Sequence, residues 1–398
     1  MIEEVPESNW DSVQNFISDS PWQHEPLLKR IGQDMNALLG DNSDNYLLFD
    51  ESAFTKKGKK SVGVCRQWNG RLGKVDNCQV GVFSVFGRDS LCAINDFRLF
   101  LPKEWTDDKK RCQLAGIPTH AYRKHQTKID LALQMIAEAK DQQLNFNWIG
   151  ADGFYGRDSH FRRSIAKMGL TFMVDIPRDT VIYLQNPKPA VPEKLSSKGR
   201  KPTLLKAQVK GIRLDKWLSE QAENDFEKLT IRKAKKGALK AQFIHARIWL
   251  WDGKSRKAES LHLVVRKDKG TTQSKVKYSV SNAAKETAIQ RLAYMQSQRY
   301  WIEREFQDAK SQVGMADYQV RGWRAWHHHM AMVALAMLFV AQTKQEFKEQ
   351  YEILSTADIK FILENILPRR IVSVEDIANT IQRRHDKRLK DIKLNHKT

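Results

Sequence analysis

Two short apolar runs, far apart in the chain, each end on an aspartate: Tyr46-Leu-Leu-Phe-Asp50 and Phe146-Asn-Trp-Ile-Gly-Ala-Asp152. Uninterrupted apolar runs this short read as strands covered on both faces, since a half-buried strand would alternate. Asp50 and Asp152 then stand at strand ends. Between them lie two further strand-like runs, 78–86 and 91–101, separated by the turn residues Gly87, Arg88 and Asp89. A helical repeat follows at Ile129, Leu133, Ile136 and Ala137. After Asp152 come Gly153, the loop Tyr155-Gly156-Arg157, a helix over 161–168 stopped by Gly169, and a strand over 170–176 closed by Pro177. The chain therefore reads as α/β: three strands, a helix, a strand, a helix and a strand.

Charge says what such a unit meets. The sequence holds 67 Lys and Arg against 47 Asp and Glu, a net charge of +20 with a pI near 9.7. A soluble chain this basic partners a polyanion, because each phosphate it neutralises releases counterions. An anionic membrane surface is the competing partner. The longest apolar run, 330–341, is too short for the roughly 20 residues of a bilayer helix and reads as a buried one. The first residues, Met-Ile-Glu-Glu-Val-Pro, are acidic and unlike a signal peptide, so a cytoplasmic, nucleoid-associated protein is expected. Cys65, Cys78, Cys92 and Cys112 are scattered without a C-x-x-C pair, the pattern of reduced thiols.

Residues 1–43 form a helical lead-in, with Trp10, Val13, Phe16 and Ile17, then Leu27, Leu28 and Ile31, at helical spacing around a break at Asp19, Ser20 and Pro21. The first part of the core spans 44–177. Over 178–280 the composition changes: Pro187, Pro189 and Pro192 crowd together, 196–202 is a basic loop, and 194–240 holds 14 Lys and Arg against 5 Asp and Glu. Alternation at 243–251, 261–265 and 276–280 makes this a basic, β-rich insertion, in which Trp249 and Trp251 would face one side. The core resumes over 281–343, with Ser281-Asn282 as a helix cap. Its helix at 297–310 carries Ile302, Phe306, Ala309 and Val313 at i, i+4, i+7 and i+11, and sets Arg299, Glu303 and Lys310 on one flank of that stripe. Glu305 lies on the opposite flank. His327, His328 and His329 are consecutive on a helix, so they point apart and cannot share an ion. A helical, basic tail occupies 344–398.

Acids from two strand ends, with a third from a helix packed across the same edge, would meet where ligand sites form in α/β sheets. Carboxylates so gathered repel one another, which makes sense around divalent ions. Mg2+ suits a phosphodiester, and two ions would activate the attacking oxygen and stabilise the leaving one. The element order is that of a ribonuclease-H-like mixed sheet flanked by helices, with the β-rich insertion ahead of the last catalytic helix.

The residues also resemble the DDE transposases of bacterial insertion sequences, in the cut-and-paste group marked by a Tyr-Arg-Glu-Lys signature. Arg299, Glu303 and Lys310 keep that signature's spacing, and Gln296 stands at its Tyr position, leaving open the hairpin route used by some relatives. Phe49-Asp-Glu-Ser-Ala-Phe-Thr-Lys-Lys-Gly58, Ser61-Val-Gly-Val64, Asp76-Asn-Cys-Gln79, Ala151-Asp-Gly-Phe-Tyr-Gly156, and Tyr318-Gln-Val-Arg321 with Trp323 and Trp326 extend the likeness over about 10–340. The resemblance implies a triad of Asp50, Asp152 and Glu303 holding two Mg2+ ions, with Mn2+ substituting. It implies Arg299 and Lys310 on DNA phosphates, and Trp249 or Trp251 stacking on a flipped base. It also implies a homodimer acting on the element's terminal repeats and on target DNA, where 3′-hydroxyls are joined by transesterification. Lys56, Lys57, Lys59 and Lys60 just beyond Asp50, Lys198, Arg200 and Lys201 in the basic loop, and Arg321 are expected on the same duplex. Two rival readings are a nuclease of this fold that cuts without joining, and a DNA-binding protein that keeps the fold without catalysis.

Overall fold

A computed structural model describes residues 10–70, 72–193, 201–234, 237–268, 276–367 and 373–395. In chain order its strands are β1 (Tyr46–Thr55), β2 (Cys65–Asn69), β3 (Lys74–Arg88), β4 (Leu91–Leu99), β5 (Trp148–Ala151), β6 (Thr171–Asp175), β7 (Val181–Ile182), β8 (Ile212–Arg213), β9 (Glu227–Ala234), β10 (Gly237–Leu250), β11 (Glu259–Asp268) and β12 (Val276–Ser281). Ten of these make one mixed sheet, and β7 and β8 form a small separate ribbon.

The centre of the sheet reads β4–β3–β1–β5–β6, with β1 antiparallel to β3 and parallel to β5, and β5 parallel to β6. That is the ribonuclease-H-like order. β3 is buried without interruption from Cys78 to Gly87, which requires cover on both faces. Helices supply it. Glu25–Leu39 and Trp323–Glu346 pack on β4, and Lys128–Asp141 packs on β3. The last of these starts on a capping box in which Thr127 and Asp130 satisfy each other's backbone N–H groups. Trp326 is fully buried, edge-on to Phe97 at 5.5 Å and tilted against Phe83.

Four details differ from the expectations of sequence. β1 runs on to Thr55, because β3 is long enough to pair with it throughout, so Asp50 is not at the tip of its strand. It stands instead where the parallel partner β5 ends. The strands of the β-rich insertion join the core sheet: β12 pairs antiparallel with β6, Val280 opposite Val174, and β11, β10 and β9 continue outward. β10 stops at Leu250, so Trp251 falls in the following turn, where its Nε1–H donates to the Ser255 carbonyl at 2.6 Å. Asn282 caps no helix. Its side chain accepts from Phe172 N and donates to the Leu170 carbonyl, tying the end of β12 to the start of β6. The next helix, Ile289–Gln298, is followed by Tyr300–Gln312, with Arg299 as the single residue between them. Arg299 keeps helical dihedrals (φ −57°, ψ −21°), so the two run on almost as one. No helix among the described residues is long and apolar enough to cross a membrane.

Candidate active site

The register across the parallel strands sets the site. Phe49 pairs with Ala151, and Ala151 with Val174, a row fully removed from solvent. The next residue on each strand is an acid: Asp50, Asp152 and Asp175. Asp152 caps the short helix Gly153–Gly156, its Oδ1 accepting from Phe154 N at 2.9 Å and Tyr155 N at 3.4 Å. That turn lies directly on β6. A Cβ on Gly156 would stand 1.9 Å from the Asp175 carbonyl oxygen, so only glycine lets Asp152 come alongside β6. Asp175 was not anticipated, although Phe172-Met-Val-Asp175 is a third apolar run ending on an acid.

Arg299 reaches into this row from the helical side. Its Nε lies 2.9 Å from Asp175 Oδ2, its Nη1 3.4 Å from Asp50 Oδ2, and its Nη2 pairs with Glu303 one turn further on. Asp50 and Asp175 are 20% exposed, Arg299 16% and Glu303 47%, so the cluster is sunk at the strand acids and open at Glu303. Burial opposes the charge of Arg299, yet Asp175, Asp50 and Glu303 raise its pKa further above the ordinary range. Asp50 is pushed up to about 7, by burial first and then by the Asp152 carboxylate, while Arg299 and the Glu51 N–H oppose the rise. Asp152 is raised by burial, against the pull of Arg299 and of its two backbone N–H donors, and Asp175 adds repulsion. Lys277 on β12 is a second cation beside Arg299, Asp175 and Glu303, with its pKa lowered by burial. On the neighbouring flank Glu51 pairs with Lys128 at 2.6 Å.

These donors are carboxylate oxygens, the kind hard divalent ions take. The repulsion felt by Asp50 and Asp152 means that Arg299 does not offset all of their charge. In charge and donor type the residues fit a divalent ion. Among the described residues, however, no three His, Cys, Asp or Glu side chains are arranged as a metal site, and the guanidinium stands between Glu303 and the strand acids.

Glu305, the rival of Glu303, points into the core. It is 5% exposed, takes a long contact from the Cys92 thiol at 3.7 Å, and is pushed up to about 8, chiefly by burial. Lys310 is half-buried near the rings of Phe54 and Phe306. Lys56 donates to the Tyr318 carbonyl at 2.9 Å and sits over that ring, whereas Lys57, Lys59 and Lys60 are exposed. Their loop is tied to the exposed Arg321 by a Val62 N–H to Arg321 carbonyl bond of 2.9 Å. Lys201 is exposed, and Lys198 and Arg200 lie outside the described residues. Trp249 is half-buried, its backbone paired with Tyr183. His327, His328 and His329 each meet different backbone carbonyls: Trp323, then Ile17 and Trp22, then Gly314. The four cysteines are buried and form no disulfide.

Residues 1–238 match the family model of the DDE superfamily endonucleases. Over 190 residues the chain is 29% identical to the "Probable transposase for insertion sequence element IS701" of Microchaete diplosiphon, a stretch covering 44% of this chain and 46% of that protein. The chain thus spans about half the length of the curated relative it matches.

Proposed function

The chain belongs to the DDE superfamily endonucleases, and on that footing we propose that it is a DNA transposase, cutting at the terminal repeats of a mobile element and joining the freed 3′-hydroxyls to target DNA. The observation that carries the reading is the row of acids that directly follows the paired residues Phe49, Ala151 and Val174 of neighbouring parallel strands, facing Glu303 across Arg299. Asp50, Asp152 and Glu303 would hold divalent ions, Mg2+ or Mn2+, which when bound would supply charge to activate the attacking oxygen and stabilise the leaving one.

The chain's own residues do the rest. Burial of the strand acids excludes water from the side of the cluster away from the substrate, which strengthens every charge interaction there. Asp50, raised by burial and by the Asp152 carboxylate, carries a negative charge that a bound cation would relieve. Arg299 stays protonated and keeps Asp50 and Glu303 aimed at one place. Lys57, Lys59, Lys60, Lys201 and Arg321 are exposed cations for the duplex backbone, with Lys310 half-buried two turns beyond Glu303 on the same helix. Among the described residues the chain has one such cluster, and an element has two ends, so two copies would act together in the nucleoid.

Incubation with DNA carrying the element ends tests the reading. Cleavage with Mg2+, none with chelator, and none by Asp152→Ala is the expected result. Pre-cleaved ends supplied with target DNA separate a transposase, which joins them, from a nuclease, which leaves them free.

A further inference from the structure

Gln296 occupies the Tyr position of the signature, where an outward phosphate contact would be expected, yet it is only 4% exposed. Its amide Nε2 donates to the Val264 carbonyl at 3.1 Å and to Ser279 Oγ at 2.8 Å. Ser279, fully buried on β12, passes its one hydroxyl proton to Asp175 Oδ1 at 2.5 Å. The other oxygen of Asp175 is an ion-pair partner of Arg299, 2.9 Å from its buried Nε, whose N–H is not aimed at it as a hydrogen bond. The directions are forced by chemistry. A backbone carbonyl and a carboxylate only accept, so the amide nitrogen must face Val264 and the serine must donate to Asp175 while accepting from Gln296. The chain of contacts therefore runs one way, from the core of the outer strands to the guanidinium that spans Asp50 and Glu303.

We propose that Gln296, Ser279 and Asp175 form a buried relay that fixes the guanidinium of Arg299 between Asp50 and Glu303, which makes Gln296 a positioning residue and not a DNA contact. Arg299 sits at the junction of two helices, where a long side chain has many rotamers and only its anchors select one. Asp175 is the anchor at the end of β6, and Ser279 holds that carboxylate in one rotamer. The relay links Asp175 of β6, Ser279 of β12 and the helical segment that carries Gln296 and Arg299 through side chains alone. It rests on the reading of Asp50, Asp152 and Glu303 as the acids that act on DNA.

The test uses the full chain and a duplex bearing an element end. Gln296→Leu and Ser279→Ala should each lower the single-turnover cleavage constant in Mg2+ by about 10- to 100-fold, the usual cost of losing an outer-shell orienting contact. The double variant should be no slower than the worse single one, because both cut one relay. DNA affinity without divalent ions, and its dependence on salt, should stay as in the parent protein. A phosphate-contacting Gln296 would give the opposite split: weaker binding and an unchanged cleavage constant for bound DNA. That result would overturn the proposal, as would wild-type cleavage by Ser279→Ala, which removes a single hydroxyl and serves even if Gln296→Leu fails to fold. Melting temperatures judge the relay without any cleavage: the losses of Ser279→Ala and Arg299→Lys should sum to more than that of the double variant, and strict additivity refutes the link. Full cleavage by Asp152→Ala would instead sink the assignment of the acids, leaving the melting result to judge the relay.

Discussion

Replacing Asp50 by asparagine should strengthen the fold while destroying the activity. The folded chain keeps a proton on Asp50 up to about pH 7, whereas the ordinary value, which the unfolded chain takes, is 3.8. Between those two pH values the folded state binds more protons than the unfolded one. Stability therefore falls as pH rises through that window and stays low above it. Each pH unit is worth about 1.4 kcal/mol, so the whole rise amounts to about 4 kcal/mol at most. The carboxyl is 20% exposed and shares its titration with Asp152, and solvent screening reduces the figure to about 2 kcal/mol. Asparagine has the same shape with no charge to lose. Urea denaturation in chelator should show Asp50→Asn about 2 kcal/mol more stable than the parent at pH 8, with the two curves meeting near pH 4. Mn2+ should then stabilise the parent and not the variant. A pH-independent difference between the two proteins, or a less stable variant at pH 8, would refute the account of this cluster as charge held under strain.

Other outcomes follow from the same geometry. Glu305→Gln should cost under about 1 kcal/mol at pH 7, where the buried carboxyl is already protonated, and should become the more stable protein at pH 9 in the same denaturation assay, whereas Glu303→Gln should abolish cleavage. Gly156→Ala should lower melting temperature and cleavage together, at a cost of about 1–3 kcal/mol, because its methyl collides with the Asp175 backbone and displaces the end of β6. Removing the three exposed cations Lys57, Lys59 and Lys60 should reduce the slope of log affinity against log salt by about two to three, read by fluorescence anisotropy with the end duplex.

Much of the core was legible because its signals are local. The apolar runs before Asp50 and Asp152, the heptad-like stripe of Ile302, Phe306 and Ala309, and the flank shared by Arg299 and Glu303 all follow from periodicity, and all sit as expected. Helix phase also put Glu305 on the flank opposite Glu303, and Glu305 is buried where Glu303 pairs with Arg299. What escaped was set by pairing at a distance. The run of β1 past Asp50 is dictated by the length of β3, which its own residues do not reveal. Nor does anything within 227–281 say that β12 will add to β6. Asn282 looks like a cap in isolation and is drawn instead to Leu170 and Phe172. Asp175 was readable in principle, since it repeats the pattern of the other two acids, but its role is evident only once Arg299 arrives from a hundred residues downstream.

The pairing of β12 with β6 also gives the molecule a built-in gauge. From β6 outward, β12, β11, β10 and β9 step away from Asp175 at about 4.8 Å apiece, so the outermost lies about 19 Å from it. On the reading proposed above, a grip taken by the far edge of the sheet would stand at a set offset from the acids. The offset would be kept by the ladder of backbone bonds, independent of any hinge.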